Sequence, residues 1–225
     1  MNTFIFFIEI IIVYGSLVLV DKFIGKPGVF AWIAFASVLA NIITSGQVTT
    51  LGLDVAMGTV LFSSVYLATD ILTEKYGFEE SKKGVYIGLI FVVLFMLLSQ
   101  IWIRYCPSEF DYIIPSLRQI FTLSLRVSIS SVVMFFLSNL CDVYIFNTFR
   151  KRHGDKKLWL RNNVSTILCN CLENFFFIMG AFLGVYTFKD CLSIALGTSL
   201  IEIVAGLCDT PFLYWSKHNK IKGED

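Results

Sequence analysis

Long apolar stretches alternate with short polar connections along most of the chain. A helix that spans a bilayer needs roughly 20 predominantly apolar residues, and seven segments meet this requirement. They cover about residues 3–21, 29–46, 55–74, 84–104, 120–147, 159–186 and 190–214. The connections are short, and most contain glycine, proline or charge, so none separates two domains. The pattern predicts an all-α fold: a polytopic integral membrane helix bundle of about seven transmembrane helices, with residues 1–225 as a single transmembrane domain.

The composition supports a membrane location. Hydrophobic residues make up 56% of the chain and charged residues 16%, whereas soluble domains carry about 25% charged residues. The net charge of +1 gives no reason to expect a nucleic acid partner, so the predicted surrounding is the lipid bilayer. The six cysteines and two histidines follow neither a disulfide nor a zinc-site pattern. We therefore predict no metal site, no cofactor and no catalytic residue.

Basic residues are distributed unevenly between the two sides that seven spans define. Of the 18 lysines and arginines, 14 fall on the side of the connections after the first, third and fifth spans and of the C-terminal tail. Three fall on the other side, and Arg126 lies within a span. Cytoplasmic loops carry an excess of Lys and Arg, so the N-terminus is predicted outside the inner membrane and the C-terminus in the cytoplasm. The 14 residues are Lys22, Lys26, Lys75, Lys82, Lys83, Arg150, Lys151, Arg152, Lys156, Lys157, Arg161, Lys217, Lys220 and Lys222, and the three are Arg104, Arg118 and Lys189.

Polar residues inside the predicted spans recur at helical spacing, which places them on one face of each helix. A charge within the bilayer costs at least ~2.5 kcal/mol, so these faces are expected to turn toward the bundle interior or a cavity. The stripes are Ser37, Asn41 and Ser45 on the second span, Thr59, Ser63, Tyr66, Asp70 and Glu74 on the third, Ser128, Ser131, Ser138, Asn139 and Asp142 on the fifth, Asn163, Thr166, Asn170, Glu173 and Asn174 on the sixth, and Ser199, Glu202 and Asp209 on the seventh.

The predicted topology divides these residues by depth, at about 1.5 Å per residue. An inner layer near the cytoplasmic helix ends has a gating or structural role, or its carboxylates pair with Lys and Arg at the helix ends. A middle layer is harder to explain as an effect of helix ends and is the predicted binding site. Asn41 and Arg126 lie in the outer half, where Arg126 either faces a cavity or extends toward the membrane surface. The inner residues are Asp70, Glu74, Asn139, Asp142 and Asp209, and the middle ones are Asn170, Glu173, Asn174 and Glu202.

Several ordered motifs resemble those of the queuosine precursor transporters, also known as putative vitamin uptake transporters. The motifs are LATDILTEKYG at 67–77, Arg126, NLCDVYIFN at 139–147, WLRNNVST at 159–166, NCLE at 170–173 and DTPF at 209–212 with Tyr214. The resemblance covers a core of about 29–215, which implies a six-helix core preceded by an additional N-terminal span. The family often has Gln at the position of Asn139 and Asp at that of Glu173, and both differences alter the reach of the side chain.

The resemblance implies uptake of queuine, preQ0 or preQ1, which are flat 7-deazaguanine bases. A carboxylate can accept hydrogen bonds from the N–H and amino donors of such a base, so Glu173 is the first candidate and Glu202 the second. Asn41, Arg126, Asn170 and Asn174 are expected around the ring, where amide or guanidinium groups can donate to its carbonyl oxygen. Phe and Tyr side chains can stack on the ring.

The source of energy for transport is not visible in the sequence. No G-x-x-x-x-G-K-[ST] motif is present, which leaves facilitated diffusion, ion coupling or separate energising subunits, in a monomer or a homo-oligomer. Three alternatives remain: the substrate-binding subunit of a vitamin-type importer for another small heterocycle, a membrane-embedded enzyme, and a non-transporting scaffold or sensor. The absence of a nucleophile–base motif argues against an enzyme.

Overall fold

Each of the seven predicted apolar segments contains a helix in the computed structural model. The structure describes residues 1–44, 46–122, 125–153 and 157–219, with the side chains of Leu125, Arg126 and His153 excepted. The helices are α1 (Asn2–Ile24), α2 (Lys26–Ile43), α3 (Thr59–Lys75), α4 (Phe78–Trp102), α5 (Ile114–Phe121), α6 (Leu125–His153), α7 (Leu158–Phe182) and α8 (Phe188–His218), and strands β1 (Gln47–Thr50) and β2 (Leu53–Ala56) lie between α2 and α3. Within the described ranges, the fold is all-α apart from this hairpin.

Six of these helices are long and apolar enough to cross a membrane: α1, α2, α4, α6 over Val127–Arg152, α7 and α8. Their outer faces expose large apolar side chains. Ile12 on α1 and Leu97 on α4, for example, are each 61% exposed. Apolar surface of this extent on helices that satisfy their own backbone hydrogen bonds is suited to lipid. The prediction of a polytopic helical membrane protein is confirmed.

The third predicted span differs from the other six. Its helix, α3, has 17 residues and ends with Asp70, Glu74 and Lys75 in its last two turns. At 1.5 Å per residue it is shorter than the roughly 30 Å apolar core of a bilayer. Almost all of α3 is buried, and it packs against α1, α2, α4, α6 and α8. α3 is therefore a central helix that the other helices shield from lipid.

The prediction of one helix over residues 55–74 is wrong at its start, because residues 47–56 form an antiparallel hairpin. Leu51 and Gly52 form its two-residue loop and both have positive φ angles, 51° and 80°, as a type I′ turn requires. Val48, Thr49 and Val55 are β-branched, which suits a strand better than a helix. Accordingly, α2 ends at Ile43 and not at residue 46.

Two other predicted boundaries are also wrong. The segment predicted as one helix over 120–147 begins with the end of a separate helix, α5, which stops at Phe121, and Thr122 leaves the helical conformation with ψ 79°. The helix predicted over 159–186 ends at Phe182. The chain then turns through Gly184, whose φ of 94° favours glycine, before α8 begins.

Alternate helix ends meet at one end of the bundle. Lys26 at the start of α2 contacts Glu80 at the start of α4, with 3.1 Å between Nζ and Oε2. Lys75 at the end of α3 lies 2.7 Å from the Asp21 carboxylate at the end of α1. We call this end of the bundle the basic end. Because α2 and α4 both begin at the basic end and α2 leads away from it, the hairpin and α3 together must lead the chain back.

The predicted grouping of basic residues on one side agrees with this geometry for the residues whose contacts place them there. They are Lys26, Lys75, Arg150, Arg161 and Lys217. Lys156, Lys220 and Lys222 lie outside the described residues. At the opposite end, the hairpin end, the Asn2 side chain donates to the Thr49 carbonyl at 3.0 Å.

The apolar core lies where α1, α2, α3 and α8 meet. Leu17, Ile33 and Leu67 are each 0% exposed there and belong to one cluster. Tyr14 lies in the same region, and its hydroxyl donates to the Ala205 carbonyl of α8 at 3.2 Å. The same cluster extends to Phe146 of α6 and Leu158 of α7.

Candidate functional site

A cavity of about 750 Å³ lies between the hairpin and the helices, within the size range of small-molecule sites, about 300–1,000 Å³. Residues from α2, both strands, α3, α5, α6, α7 and α8 line it. Five of the six predicted binding residues are among them: Asn41, Asn170, Glu173, Asn174 and Glu202. The side chain of the sixth, Arg126, lies outside the described residues. Side chains from α2, α7 and α8 are thus brought together, and their role in binding remains a prediction.

Glu173 is held by hydroxyl groups from two other helices. Its Oε2 accepts hydrogen bonds from the Tyr66 hydroxyl of α3 and from the Ser138 hydroxyl of α6 at 2.7 Å. Tyr66 and Ser138 are each only 3% exposed, so the two donors are fixed by the packing around them. None of the described residues donates to Oε1, which leaves that oxygen able to accept a hydrogen bond from a bound molecule.

The second acidic group of the cavity pairs with an amide. Asn174 Nδ2 donates to Glu202 Oε2 at 2.5 Å and approaches Ser199 Oγ at 3.3 Å. Glu202 Oε1 accepts no hydrogen bond from the described residues. Asn170 is 2% exposed and lines the cavity without a described hydrogen-bond partner for its amide. The cavity therefore offers two carboxylate oxygens and one amide for which the described side chains provide no hydrogen bond.

The stripe predicted on α3 is divided between two regions. Thr59, Ser63 and Tyr66 line the cavity, whereas Asp70 and Glu74 do not. The change occurs within one helical turn. The polar face of α3 is thus continuous, as its spacing predicted. Its N-terminal part lines the cavity, and its C-terminal part lies toward the basic end.

Several lining residues were not predicted. The hairpin contributes Gln47 and Asp54, and aromatic rings surround the polar groups. The Leu-Gly pair between β-branched residues is a signal for the hairpin, but apolar length alone does not show it. The chain contains 22 Phe, so periodicity alone could not show which ones face inward. The aromatic lining residues are Phe62, Phe135, Phe177, Phe182 and Tyr186.

At the basic end, Glu74 is surrounded by cations. Its carboxylate contacts the Arg161 guanidinium and the Lys217 ammonium at 2.8 Å, and Arg150 Nε lies 3.7 Å away. Arg161 is 1% exposed, which is rare for a charged side chain unless it is paired. Arg150 also donates to the Glu74 carbonyl at 2.9 Å. Glu74 therefore joins the ends of α3, α6 and α8 to the start of α7.

A second buried ion pair at this end was not predicted. The Asp21 carboxylate contacts Lys75 and accepts hydrogen bonds from the Ser216 hydroxyl at 2.6 Å and the Tyr76 hydroxyl at 3.2 Å. It ties α1 to the ends of α3 and α8. Burial, followed by the nearby Asp21 carboxylate, raises the pKa of the Tyr76 hydroxyl above its usual range.

The other predicted gating or structural residues form no ion pair with a described residue. Asp209 accepts a hydrogen bond from Asn162 Nδ2 at 2.5 Å. Asn139 donates to the Phe135 carbonyl of its own helix at 2.8 Å. Asp70 and Asp142 are fully buried, and neither accepts a hydrogen bond of normal geometry from a described residue. The predicted pairing with Lys and Arg at the helix ends is therefore found for Glu74. It is not found for Asp70 and Asp142 among the described residues.

The fold and the cavity define a class: a helical membrane protein whose polar cavity is separated from one end of the bundle by an ion-paired layer, as in a solute transporter. Residues 56–216 match the family model described as putative vitamin uptake transporter, and the chain belongs to this family. The family resemblance predicted from the motifs is confirmed, and the family is one of transporters and not of enzymes.

Two curated relatives carry the same description, probable queuosine precursor transporter. The relative from Bacillus subtilis (strain 168) is 34% identical over 197 residues, which cover 87% of this chain and 86% of that protein. The relative from Haemophilus influenzae (strain ATCC 51907 / DSM 11121 / KW20 / Rd) is 29% identical over 128 residues, which cover 56% of this chain and 51% of that protein. No solved structure matches the chain.

Proposed function

We propose that this protein is a membrane uptake transporter for queuosine precursors, the 7-deazaguanine bases queuine, preQ0 and preQ1. Its family membership and the description of its relatives support uptake of this class of solute. The observation that carries the proposal is the Glu173 carboxylate, which two buried hydroxyls orient in the cavity, while no described residue donates to its Oε1.

The polar groups of the cavity suit the edge of a guanine-like base. Such an edge presents a ring N–H and an amino group, and Glu173 Oε1 and Glu202 Oε1 are acceptors for them. Asn170 supplies an amide donor for the ring carbonyl oxygen. The rings of Phe62 and Phe135 can stack on the flat base, an interaction worth about 1–3 kcal/mol per base. Asn41, Asn174 and Arg126 remain predicted contacts around the ring.

The test is uptake in cells that cannot make queuosine. The protein is expressed in them, one of the three bases is supplied at limiting concentration, and queuosine in tRNA is quantified. We expect modification to depend on the protein for one base or more. Equal modification with and without the protein for all three bases would show that the assignment is wrong. Uptake by the purified protein in lipid vesicles would further show that no separate energising subunit is required.

We also propose that the chain crosses the inner membrane seven times, with the hairpin and α3 together making the third crossing. The grouping of basic residues at one end supports a cytoplasmic basic end, so the N-terminus lies outside and the C-terminus inside. A reporter fused after Asp225 should be active in the cytoplasm, and a tag before Met1 should react with an impermeant reagent added outside. If both termini are found on one side, the seven-crossing topology is wrong.

A further inference from the structure

Between the cavity and the basic end, three helices bring together buried oxygen atoms that lack hydrogen-bond partners. Asp70 of α3 and Asp142 of α6 are 0% exposed, and Thr166 of α7 is 1% exposed. Both carboxylate oxygens of each aspartate and the Thr166 hydroxyl make no hydrogen bond of normal geometry with a described residue. The two carboxyls face each other between α3 and α6, with Thr166 beside Asp142. A buried polar group without a partner is unfavourable, so this arrangement indicates that something binds here.

The charged groups around the two aspartates do not neutralise them. Arg161 attracts Asp70, but its guanidinium contacts the Glu74 carboxylate. A third carboxyl, that of Asp209 on α8, lies near both aspartates. The titratable groups that face the pair are Glu74 of α3, Arg161 and Cys169 of α7, and Asp209 of α8.

Two buried carboxylates that face each other do not both remain ionised, because like charges at short distance repel each other strongly in a low dielectric. The Ser165 and Thr166 hydroxyls beside Asp142 are neutral and do not remove this repulsion. A single proton removes one charge. It also creates an O–H group, which can donate to the second carboxylate. A proton is therefore the smallest ligand that satisfies the carboxylate oxygens of Asp70 and Asp142.

The position of the pair links the cavity to the basic end. Asp70 follows Tyr66 by four residues on α3, and Asp142 follows Ser138 by four residues on α6, so each lies one helical turn below a residue that holds Glu173. Glu74, at the ion-paired layer, follows Asp70 by another four residues. A change in the charge of the pair would therefore act on the helix faces that hold Glu173 and on the contacts that close the basic end.

We propose that Asp70 and Asp142 form a proton-binding site that couples entry of the base to entry of protons, which rests on the proposed function. One proton binds a carboxylate oxygen from the side where the cavity is open and is shared between the two carboxyls. It dissociates to the other side after the protein has changed conformation. Net transport of an uncharged base then carries one proton, and one positive charge, into the cell.

The first experiment uses the purified full-length protein in phosphatidylethanolamine and phosphatidylglycerol vesicles with radiolabelled preQ0, which lacks the ammonium of preQ1. The membrane potential is held at zero with potassium and valinomycin. An inward pH gradient of one unit should drive about tenfold accumulation for one proton per base, since one pH unit is a tenfold ratio of proton activity. An inward sodium gradient at equal pH should drive none.

The second experiment compares Asp70→Asn and Asp142→Asn with Glu79→Gln, which removes a carboxylate from an exposed pair at the basic end. An amide cannot bind and release the proton. Both aspartate variants should therefore still exchange internal for external preQ0 at equal pH. Across the pH gradient, their ratio of internal to external preQ0 should stay at about one. Glu79→Gln should accumulate preQ0 like the wild type.

The third experiment needs no variant. Dicyclohexylcarbodiimide is an apolar reagent that reacts with protonated carboxyl groups within membranes. In wild-type protein at acidic pH, peptide mapping by mass spectrometry should locate the adduct at Asp70 or Asp142, and the yield should fall as the pH rises. Glu74 should react less, because its carboxylate is in contact with Arg161 and Lys217.

The outcomes separate this inference from the proposed function. Exchange of preQ0 without accumulation in a pH gradient, accumulation that follows sodium, or accumulation that persists in both aspartate variants would overturn proton coupling at this pair. If the variants do not fold, absence of an adduct at Asp70 and Asp142 in the wild type at every pH would overturn it. Absence of exchange by the wild type with all three bases would instead count against the proposed function.

Discussion

The cavity and the basic end both bury carboxylates, but they stabilise them in opposite ways. At the basic end, Glu74 is in contact with Arg161 and Lys217 and close to Arg150. In the cavity, Glu173 is held by the hydroxyls of Tyr66 and Ser138. Among the described lining residues of the cavity there is no lysine or arginine.

This difference indicates two functions for the same kind of side chain. A carboxylate with several cations is neutralised within the protein and serves to join helices. A carboxylate held by hydroxyl or amide donors is oriented, and one of its oxygens accepts no hydrogen bond from a described residue, so it can still bind a molecule that enters. The partners of each carboxylate therefore indicate a structural role for Glu74 and Asp21, and they favour the proposed role of Glu173 and Glu202 in binding.

The largest expected effect is the loss of the buried cation at the basic end. Arg161→Met removes the charge of a side chain that is 1% exposed. The buried Glu74 then keeps only Arg150, which is farther away, and Lys217, which is more exposed, among its described partners. Breaking one side of a buried pair costs about 3–5 kcal/mol. We expect the free energy of unfolding in detergent to fall by about this amount, measured by denaturant unfolding followed by tryptophan fluorescence.

Two further variants show whether the loss comes from the uncompensated charge. Lys83→Met removes one partner of an exposed pair with Glu80 and should change stability by less than about 1 kcal/mol. The double variant Arg161→Met with Glu74→Met should recover part of the loss, because no unpaired charge remains buried. A loss as large for Lys83→Met as for Arg161→Met would contradict the structural role of Arg161.

The next effect concerns binding and not stability. Glu173→Gln keeps the size of the side chain but removes its charge and replaces one acceptor oxygen by a donor. Hydrogen bonds to charged groups contribute about 1.5–3 kcal/mol, so affinity for the base should fall by about 10–100-fold, with normal expression and thermal stability. Calorimetry on the purified protein in detergent measures the affinity.

Asp70→Asn is the matched variant for the region below the cavity, since Asp70 is buried but does not line it. Its affinity for the base in detergent should be close to that of the wild type, while transport is reduced. Unchanged affinity for Glu173→Gln together with a large loss of affinity for Asp70→Asn would show that the base binds near Asp70 and not at Glu173.

The helices and the polar faces could be predicted from the sequence because both depend on local patterns. Apolar length predicts the helices, and spacing along the helix places Asn170, Glu173 and Asn174 on one face. The family motifs then indicated the solute. Five predicted residues line one cavity because they lie on inward faces at similar depth.

What the sequence did not predict depends on contacts between distant residues. Tyr66 and Glu173 are 107 positions apart, and no periodicity connects them. Arg161 and Asp21 lie at helix ends, where charged residues are normally solvated, so only packing shows that they are buried. The strands of the hairpin have four residues each, which is shorter than the windows in which apolar helices are recognised.

A smaller effect is expected from one of the two hydroxyls that hold Glu173. Tyr66→Phe keeps the ring in its packed position and removes the donor to Oε2. The carboxylate retains its bond from Ser138, so the loss is that of one hydrogen bond, about 0.5–1.5 kcal/mol, and affinity should fall by about 2–10-fold. Tyr186→Phe, also in the cavity lining but without a described hydrogen bond, should leave affinity unchanged. Equal effects of the two variants would contradict a role for Tyr66 in orienting Glu173.

The smallest change in stability is expected from substitutions in the hairpin. If the base enters at the hairpin end, this end should open more easily than the basic end. Leu51 has a φ of 51°, a left-handed conformation that is unfavourable for a leucine by about 1–2 kcal/mol. Leu51→Asn creates the Asn-Gly sequence that type I′ turns favour. It should stabilise the hairpin by no more than about 1 kcal/mol, with substrate affinity unchanged.

Gly52→Ala is the opposite variant at the neighbouring position. Its φ of 80° strains any side chain, although nothing lies within 4 Å of the added Cβ, so the effect isolates backbone strain from packing. Hydrogen exchange of a peptide covering residues 46–58 should slow in Leu51→Asn and accelerate in Gly52→Ala, because exchange follows local opening. The peptide at the end of α3, near Glu74, should exchange slowly and equally in all three proteins, since its contacts are ion pairs at the other end of the bundle. If exchange of that peptide changed as much as exchange of the hairpin peptide, the two ends would open as one unit. The hairpin end would then not open independently of the basic end.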